Sequence, residues 1–282
     1  MASLYHRPTD LTHALELLAQ DAPRIAAGCT DLFPATERKT LPGPILDITG
    51  IAELRKIAVT PEGVRIGATC TWSDLIAAPL PAAFDGLKLA AREIGAKQIQ
   101  NQGTIAGNIC NASPAADGVP PLLTLDAVVE VSHADGTRHV PLADFIKGPR
   151  KIDLAPGEMV RAVIVPETAS GGKGHFLKLG ARAYLVISIA MTAARIEVQD
   201  GLVRHAALAV GSCGPVATRL GTIEQALIGR PLDPDLVTDA DVAAAIAPID
   251  DIRADASYRR ASAAELLRQT LQDLSAAIEV TP

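Results

Sequence analysis

The apolar positions of this 282-residue chain change repeatedly between the spacing of a helix and that of a strand. Over 11–18 they recur at three- and four-residue intervals, which predicts a helix whose first turn either Thr9 or Asp10 could cap. Similar intervals predict a helix over 87–94 and a late one over 266–274. Short apolar runs predict strands at 24–27, 45–48 and 176–179.

Turn residues separate pairs of strand-like runs in three places, and each place predicts a β-hairpin. The first hairpin pairs 56–59 with 64–68 through a turn at 60–63, and the second pairs 127–131 with 138–141 through a turn at 135–136. The third pairs 185–198 with 202–210 through a turn at 200–201. Helical and strand patterns thus alternate along the chain, which predicts a mixed fold.

Residues 100–117, called the signature segment below, crowd small residues, amides and one carboxylate into a stretch without core periodicity, and this predicts a ligand loop. Gly103 and Gly107 remove Cβ atoms, so the main chain can approach a ligand and offer N–H donors to an anionic diphosphate. Side-chain donors and acceptors suited to a polyhydroxylated chain are Asn108, Asn111, Ser113 and Asp117.

Composition and charge argue against several classes of partner. The net charge is −6 and 48% of the residues are hydrophobic, which is typical of a globular protein without a surface for nucleic acid or anionic membranes. The N-terminus has no basic flank followed by an apolar run, so a secretory signal is not expected. The longest apolar stretch, 183–194, is far shorter than the ~20 residues of a spanning helix. We therefore expect a soluble, cytoplasmic protein without a membrane span.

No metal site is predicted. The four cysteines are scattered, at Cys29, Cys70, Cys110 and Cys213. Their spacing excludes an iron–sulfur or zinc framework, so any such cluster must lie on another chain. His133 and His139 flank a predicted turn and are interpreted as solvated hairpin residues. The Gly-rich run 170–174 lacks the spacing of a phosphate loop and is interpreted as a linker between domains.

Each local feature also has a plainer interpretation. Gly28 after a strand is compatible with a tight turn alone, and Asn, Ser and Asp in the signature segment are compatible with simple turn formation. Asp117 could cap the segment 118–122 that follows it, and this role could coexist with ligand binding.

Two strings together resemble one family. The signature segment is close to the pattern Gly-Thr-Ile-Gly-Gly-Asn, a spacer, then Ser-Pro-x-x-Asp, with Ala106 in place of the first Gly of the pair. The segment Ala27–Leu32, called the first loop below, resembles Ala-Gly-Gly-Thr-Asp-Leu, with Cys29 in place of the second Gly. Both strings resemble the FAD-binding medium subunit of the molybdenum hydroxylases, the xanthine dehydrogenase and carbon monoxide dehydrogenase family. Further similar positions are 149–151, 157–158, 178–180 and 258–260.

The resemblance implies an α+β fold. It implies a two-lobed FAD-binding domain of the PCMH type, like that of vanillyl-alcohol oxidase, over residues 1–170, with lobes at about 1–55 and 56–170. A smaller α+β C-terminal domain would follow over 171–282.

The resemblance also implies the residues that bind FAD. They are Ala27, Gly28, Cys29, Thr30, Asp31, Leu32, Gly103, Thr104, Ile105, Ala106, Gly107, Asn108, Asn111, Ser113, Asp117 and Lys178. Lys178 would reach the pyrimidine edge of the flavin, where a cation stabilises the anionic reduced ring. Cys29 and Ala106 each add a Cβ where the family has Gly, so one amide could be displaced or the loop could require a negative φ there.

The implied function is that of an electron-transfer subunit in an oxidoreductase. A large partner would carry the molybdenum cofactor and the substrate chemistry, and a small partner would carry two [2Fe–2S] clusters. The three chains would assemble as a dimer of heterotrimers. Electrons would pass through FAD to an acceptor such as NAD, with a xanthine dehydrogenase-like complex as the best match, and no residue of this chain would act on the substrate. Two alternatives stay open: a free-standing flavin oxidoreductase of the same fold, and an interaction subunit without cofactor. The sequence names neither the substrate nor the acceptor.

Overall fold

The computed structural model describes residues 4–38 and 40–279. Within these residues, strands form a three-stranded, a five-stranded and a four-stranded sheet and a two-stranded ribbon, β8 with β9. The strands are β1 Tyr5–His6, β2 Arg24–Ala26, β3 Ile45–Asp47, β4 Ile57–Thr60, β5 Gly63–Gly67, β6 Val128–His133, β7 Gly136–Pro141, β8 Ile146–Gly148, β9 Lys151–Ile152, β10 Met159–Pro166, β11 Lys173–Leu179, β12 Ala190–Gln199, β13 Leu202–Gly211 and β14 Thr218–Arg219.

Helices cover the sheets, and three of them confirm the helices predicted over 11–18, 87–94 and 266–274. Asp10 caps the first helix, because its carboxylate accepts the amide of His13 at 2.9 Å. The helices are α1 Leu11–Asp21, α2 Trp72–Ala77, α3 Asp85–Glu93, α4 Lys97–Gln102, α5 Ile105–Asn111, α6 Val119–Thr124, α7 Leu142–Phe145, α8 Gly221–Leu227, α9 Asp239–Ala245 and α10 Ala256–Glu279.

The N-terminal unit is a parallel sheet of order β1-β3-β2 covered by α1. The helix buries Ala14, Leu15 and Leu18 in one cluster with Leu46 of β3. The strands predicted at 24–27 and 45–48 are confirmed as β2 and β3. Because β2 ends at Ala26, the first loop leaves the sheet edge directly after it.

The central sheet is antiparallel, with the order β4-β5-β10-β6-β7. Two predicted hairpins are confirmed in it: β4 with β5, and β6 with β7. This sheet shares one buried cluster with α2, α3, α5, α6 and α7, to which these helices contribute Leu75, Leu87, Ile109, Leu122 and Phe145. Among them, α5 lies within the signature segment.

The signature segment is largely helical, so the prediction of a loop was wrong. It contains the end of α4 and all of α5. Ile105 and Ile109 lie one turn apart and are 1% and 0% exposed, so α5 is held by core packing. Two apolar residues among small and polar ones are too weak a periodic signal to read from the sequence. Ala112, with a φ of 44°, ends the helix.

The C-terminal sheet is antiparallel, with the order β11-β12-β13-β14, and packs against α8 and α10. Its predicted hairpin is confirmed, and the turn residues Asp200 and Gly201 both have positive φ, 53° and 75°. The strand predicted from Leu185 begins only at Ala190. Leu185 has a φ of 54°, which is incompatible with an extended strand, and the apolar run before β12 lines a cavity instead.

The central and C-terminal units meet where α3 lies on β11. A Cβ on Gly86 would lie 2.8 Å from the carbonyl oxygen of His175, and one on Gly174 would overlap the carbonyl of Ala83. Both glycines therefore allow a close approach of main chain to main chain. The strand predicted over 176–179 is confirmed within β11. A domain boundary near residue 170 stays a prediction.

Candidate functional site

A cavity of about 830 Å³ opens between the first loop, the signature segment and the residues before β12. Its walls include most of the residues predicted to bind a cofactor: Ala27, Gly28, Cys29, Thr30, Asp31, Leu32, Gly103, Thr104, Ala106, Gly107, Asn108, Asn111 and Asp117. The structure places the other three outside the wall. Ile105 is buried in the core, and Ser113 accepts the amide of Ala115 at 3.3 Å. Lys178 lies behind Asp117, to which it is bonded.

Gly28 brings the first loop directly onto the signature segment. A Cβ at this position would overlap the carbonyl oxygen of Gln102 and lie 3.0 Å from Cα of Gly103. Only glycine permits this approach, which brings two separate segments together as one wall.

The two non-glycine residues of the family strings behave differently. Cys29 keeps a left-handed backbone with a φ of 56°, so the alternative that this position requires a negative φ was wrong. Its thiol donates to the carbonyl of Ala27 at 3.4 Å. Burial and the nearby carboxylate of Asp47 raise the pKa of this thiol. Ala106 lies in the first turn of α5, where a Cβ is compatible with the helix.

Hydrogen bonds hold the signature segment against the start of α2 and the residues that connect it to β5. Thr104 caps α5, since its hydroxyl accepts the amide of Gly107 at 3.1 Å. The amide of Ile105 donates to the carbonyl of Cys70 at 3.0 Å, and the amide of Trp72 donates to the carbonyl of Gly103 at 3.2 Å. The start of α5 is therefore fixed from two sides.

The cavity wall carries free donors and one buried acceptor. The amides of residues 28–32 and of Ala106 donate no hydrogen bond to another described residue. The side-chain oxygen of Asn108 is buried without a donor among the described residues. No Lys or Arg is part of the described wall, so main-chain amides are its principal donors. Such an arrangement suits an anionic and hydroxyl-bearing ligand.

A polar bridge ties the first loop to the end of α5. The side-chain amide of Asn111 donates to Asp31 at 2.9 Å. Arg150 in turn donates to the main-chain carbonyl of Asn111 at 2.9 Å and also contacts its side-chain oxygen. Arg150 thereby orients Asn111 towards the first loop.

Asp117 lies at the opposite end of the signature segment and joins it to the C-terminal unit. Its carboxylate accepts from Lys178 Nζ at 2.8 Å and from the hydroxyl of Ser188 at 2.5 Å, and Lys178 also donates to the carbonyl of Val186 at 3.2 Å. Burial raises the pKa of Asp117, while Lys178 and Ser188 oppose that rise. The alternative that Asp117 caps the next helix was wrong, because α6 follows Gly118 without a side-chain cap.

Comparison with known proteins shows the family. The model of the FAD binding domain in molybdopterin dehydrogenase matches residues 1–168, and that of the CO dehydrogenase flavoprotein C-terminal domain matches residues 175–274. The glyceraldehyde dehydrogenase medium chain of Sulfolobus acidocaldarius is 34% identical over 263 residues, which cover 91% of this chain and 92% of the relative. This chain belongs to the FAD-binding medium subunits of the molybdenum hydroxylases.

Two further relatives support this assignment. A putative xanthine dehydrogenase FAD-binding subunit of Escherichia coli K12 is 34% identical over 235 residues, 81% of this chain and 80% of the relative. A chain of the carbon monoxide dehydrogenase of Hydrogenophaga pseudoflava, solved in a form lacking the Mo-pyranopterin moiety, superposes with a TM-score of 0.89 at 29% identity, covering 97% of both chains. The predicted α+β fold of a flavin subunit is thereby confirmed, as is its place in an oxidoreductase.

The cavity of this medium subunit fits FAD. Its volume of about 830 Å³ is in the range of cofactor sites, which run from ~300 to ~1,000 Å³. The free amides at 28–32 and Ala106 suit the diphosphate, and the unpaired oxygen of Asn108 suits a hydroxyl donor. Apolar residues such as Ile25 and Ile48 complete the wall.

Several wall residues were missed by sequence reasoning. Trp72, Met159 and the apolar residues 185–187 line the cavity, and Ser188 binds Asp117. The apolar residues carry core or strand patterns, so nothing in the sequence separates them from ordinary packing residues. Ser188 is an isolated polar residue in an apolar run, and its partner Asp117 lies 71 positions away, so the sequence gives no sign of the pair.

The described residues offer no helical membrane span and no cluster of metal ligands. None of their helices is both long and apolar enough to cross a bilayer. They also contain no group of three or more His, Cys, Asp and Glu side chains that could hold a metal ion.

Proposed function

We propose that this chain carries electrons within a molybdenum hydroxylase. It holds FAD between the [2Fe–2S] clusters of a small partner chain, from which electrons arrive, and an external acceptor such as NAD. Bound FAD supplies one- and two-electron redox chemistry. The observation that carries this proposal is the cavity formed where the first loop meets the signature segment, with its run of free amides.

The main chain of the two segments would hold the diphosphate. Hydrogen bonds to a charged group are about twice as strong as neutral ones, so several amides from 28–32 and Ala106 can replace a cationic side chain. Asn108 and Asn111 would bind hydroxyl groups of the ribityl chain. The bridge from Asn111 to Asp31 keeps the two segments at a fixed separation.

Residues from the C-terminal unit would close the flavin end. Residues 185–187 line the cavity, and Asp117 borders it with Lys178 2.8 Å behind. Lys178 would act on this end through Asp117, because its ammonium neutralises the carboxylate that lies between it and the cavity. The apolar side chains of Leu185 and Ile187 would exclude water from this end.

The partners are part of the same proposal. A large chain would hold the molybdenum cofactor and act on the organic substrate, and the complex would be a dimer of heterotrimers in the cytoplasm. The relatives are subunits of enzymes named for glyceraldehyde, xanthine and carbon monoxide, so they favour no single substrate. A xanthine dehydrogenase-like complex that reduces NAD remains the specific form to test first.

Anaerobic reduction of the purified full-length chain tests the proposal. We expect one noncovalent FAD per chain, which is photoreducible but is not bleached by xanthine or an aldehyde. Adding the two partner chains should make bleaching dependent on the substrate of the complex. Direct bleaching of the isolated chain would favour the free-standing oxidoreductase, and a chain that holds no flavin after FAD supplementation would favour the interaction subunit.

A further inference from the structure

Trp72, the single tryptophan of the chain, lines the cavity although no motif includes it. It is the first residue of α2, directly after the capping residue Thr71. Its side chain belongs to the large buried cluster, and the residue is 2% exposed. Its main-chain amide already joins α2 to Gly103, the start of the family string in the signature segment.

Two glycines leave room for the indole ring. A Cβ on Gly103 would lie 3.3 Å from Cδ1 of Trp72, and a Cβ on Gly118 would lie 2.5 Å from Cη2. The ring therefore has its pyrrole edge at Gly103 and its benzene edge at Gly118. It fills the space between the two ends of the segment that surrounds the cavity.

The pyrrole edge lies where the two binding segments meet. The same Cβ position on Gly103 would be 3.5 Å from the hydroxyl of Thr30 in the first loop. Trp72 and Thr30 thus border the same glycine, and both line the cavity. The free amides of residues 28–32 belong to this junction.

The indole N–H lies next to Cδ1 on this edge. It donates no hydrogen bond to a described residue, and it is not among the fully buried unpaired side-chain atoms that include the oxygen of Asn108. We infer that this nitrogen accounts for part of the 2% exposure of Trp72. Because the rest of the ring is packed in the core, the cavity is the space to which this donor opens. An indole N–H is a donor only, so it is suited to an anionic oxygen and not to another donor.

We propose that Trp72 is a binding residue for the diphosphate of FAD, with its indole N–H adding to the amides of the first loop and Ala106. This inference rests on the proposed binding role of those two segments. It adds a side-chain donor to a site that otherwise relies on main chain.

Replacing the ring tests the donor. Trp72→Phe in the full-length chain keeps an aromatic side chain and removes the N–H. We expect the dissociation constant for FAD, titrated into the deflavinated chain, to rise roughly tenfold or more. Phe84→Leu is the matched control, because Phe84 is fully buried in the same cluster and is not part of the described wall. It should lower the melting temperature and leave FAD affinity unchanged.

Nuclear magnetic resonance of the wild-type chain gives a second test that no folding defect can affect. A single tryptophan gives one indole ¹H–¹⁵N resonance, and ADP, which carries a diphosphate without a flavin, should shift it, whereas adenosine and riboflavin should not. Equal FAD affinity in Trp72→Phe, or an indole resonance that ADP leaves in place, would overturn the inference. A wild-type chain that binds no FAD would instead overturn the proposed function.

Discussion

The two ends of the cavity are built in opposite ways. At the first loop, main chain meets main chain because Gly28 has no side chain, and the donors are backbone amides. At the other end, buried charged side chains hold the wall in place. Asp117 and Lys178 form an ion pair whose side chains are 10% and 7% exposed, and this pair fixes the residues before β12.

The two ends of the cavity should therefore respond differently to substitution. The main-chain end depends on close approach, so an added Cβ should remove ligand binding together with stability. The charged end depends on partners, so removal of one charge should affect stability and its pH dependence first. Four substitutions separate these two kinds of dependence.

The largest effect is expected for Gly28→Ala. The added Cβ would overlap the carbonyl oxygen of Gln102, so the first loop must move away from the signature segment. We expect loss of FAD retention and a decrease in the free energy of unfolding of about 4 kcal/mol or more. Flavin absorbance after gel filtration and a denaturant titration measure the two effects.

Gly221→Ala is the matched control, because a Cβ there would meet no heavy atom within 4 Å and the position begins α8. It should leave both quantities unchanged. A Gly28→Ala chain that keeps stoichiometric FAD would show that the two segments do not need their close contact.

The second effect concerns Lys178→Met at the charged end. Burial raises the pKa of Asp117 in the folded chain, and Lys178 opposes that rise, so its loss should raise this pKa further. A raised carboxyl pKa gives stability at low pH that is lost as the pH rises through the folded-state pKa. We therefore expect the variant to be less stable than the wild type by about 3 kcal/mol at pH 8, with the deficit shrinking towards pH 4.

Denaturant titrations across this pH range measure the deficit. Lys173→Met is the control on the same strand, because the ammonium of Lys173 donates to the carbonyl of Ala277 at 3.2 Å. Its effect should not change with pH. A Lys178→Met deficit of constant size would mean that the pair does not govern the titration of Asp117.

The third effect concerns Arg259, which supports the charged end from α10. The residue is 3% exposed, and its guanidinium donates to the carbonyls of Ile189 at 2.5 Å and Ser212 at 3.1 Å and to Asp251 at 2.6 Å. Arg259→Met leaves these carbonyls unpaired, so we expect a loss of ~2 to 4 kcal/mol in the free energy of unfolding.

Arg268→Met on the same helix is the control. Its guanidinium donates to one carbonyl, that of Val237 at 2.8 Å, and its carboxylate partners Asp239 and Glu265 have side chains 74% and 72% exposed. Exposed ion pairs contribute less than ~1 kcal/mol, so we expect a smaller loss than in Arg259→Met. Equal losses in the two variants would remove the distinction between an arginine paired with a half-buried carboxylate and one paired with exposed carboxylates on α10.

The contact at the main-chain end was predictable from sequence, whereas at the charged end the residues Asp117 and Lys178 were predicted but their pairing was not. Gly28 and Gly103 can be recognised from the local sequence, because each is a residue without a side chain beside polar neighbours. Lys178 and Asp117 are 61 positions apart, and Arg259 and Ile189 are 70 apart, so only the fold brings them together. The predicted hairpins and long helices were right for the same local reason.

The errors have physical causes too. The helix α5 has only Ile105 and Ile109 as a buried pair one turn apart, which left its helical period unrecognised. The apolar residues 185–187 form part of a cavity wall, and the sequence gives the same pattern for a strand.

The smallest effect is expected for Cys29 in the first loop. Cys29 has a left-handed backbone at a φ of 56°, which costs a residue with a Cβ ~1 to 2 kcal/mol. Cys29→Gly removes that cost, but the glycine gives the unfolded chain more backbone entropy, which destabilises the folded protein by ~0.5 to 1 kcal/mol. The net stabilisation should therefore be about 0.5 to 1 kcal/mol. Cys29→Ala keeps the Cβ and loses only the weak bond to Ala27, so its stability should stay near that of the wild type. Denaturant titrations give both differences, and FAD affinity should not change in either variant, because the amides of the first loop stay in place. If Cys29→Gly were destabilised instead, the thiol would contribute more to the loop than its backbone costs, and the main-chain end would also depend on a side chain.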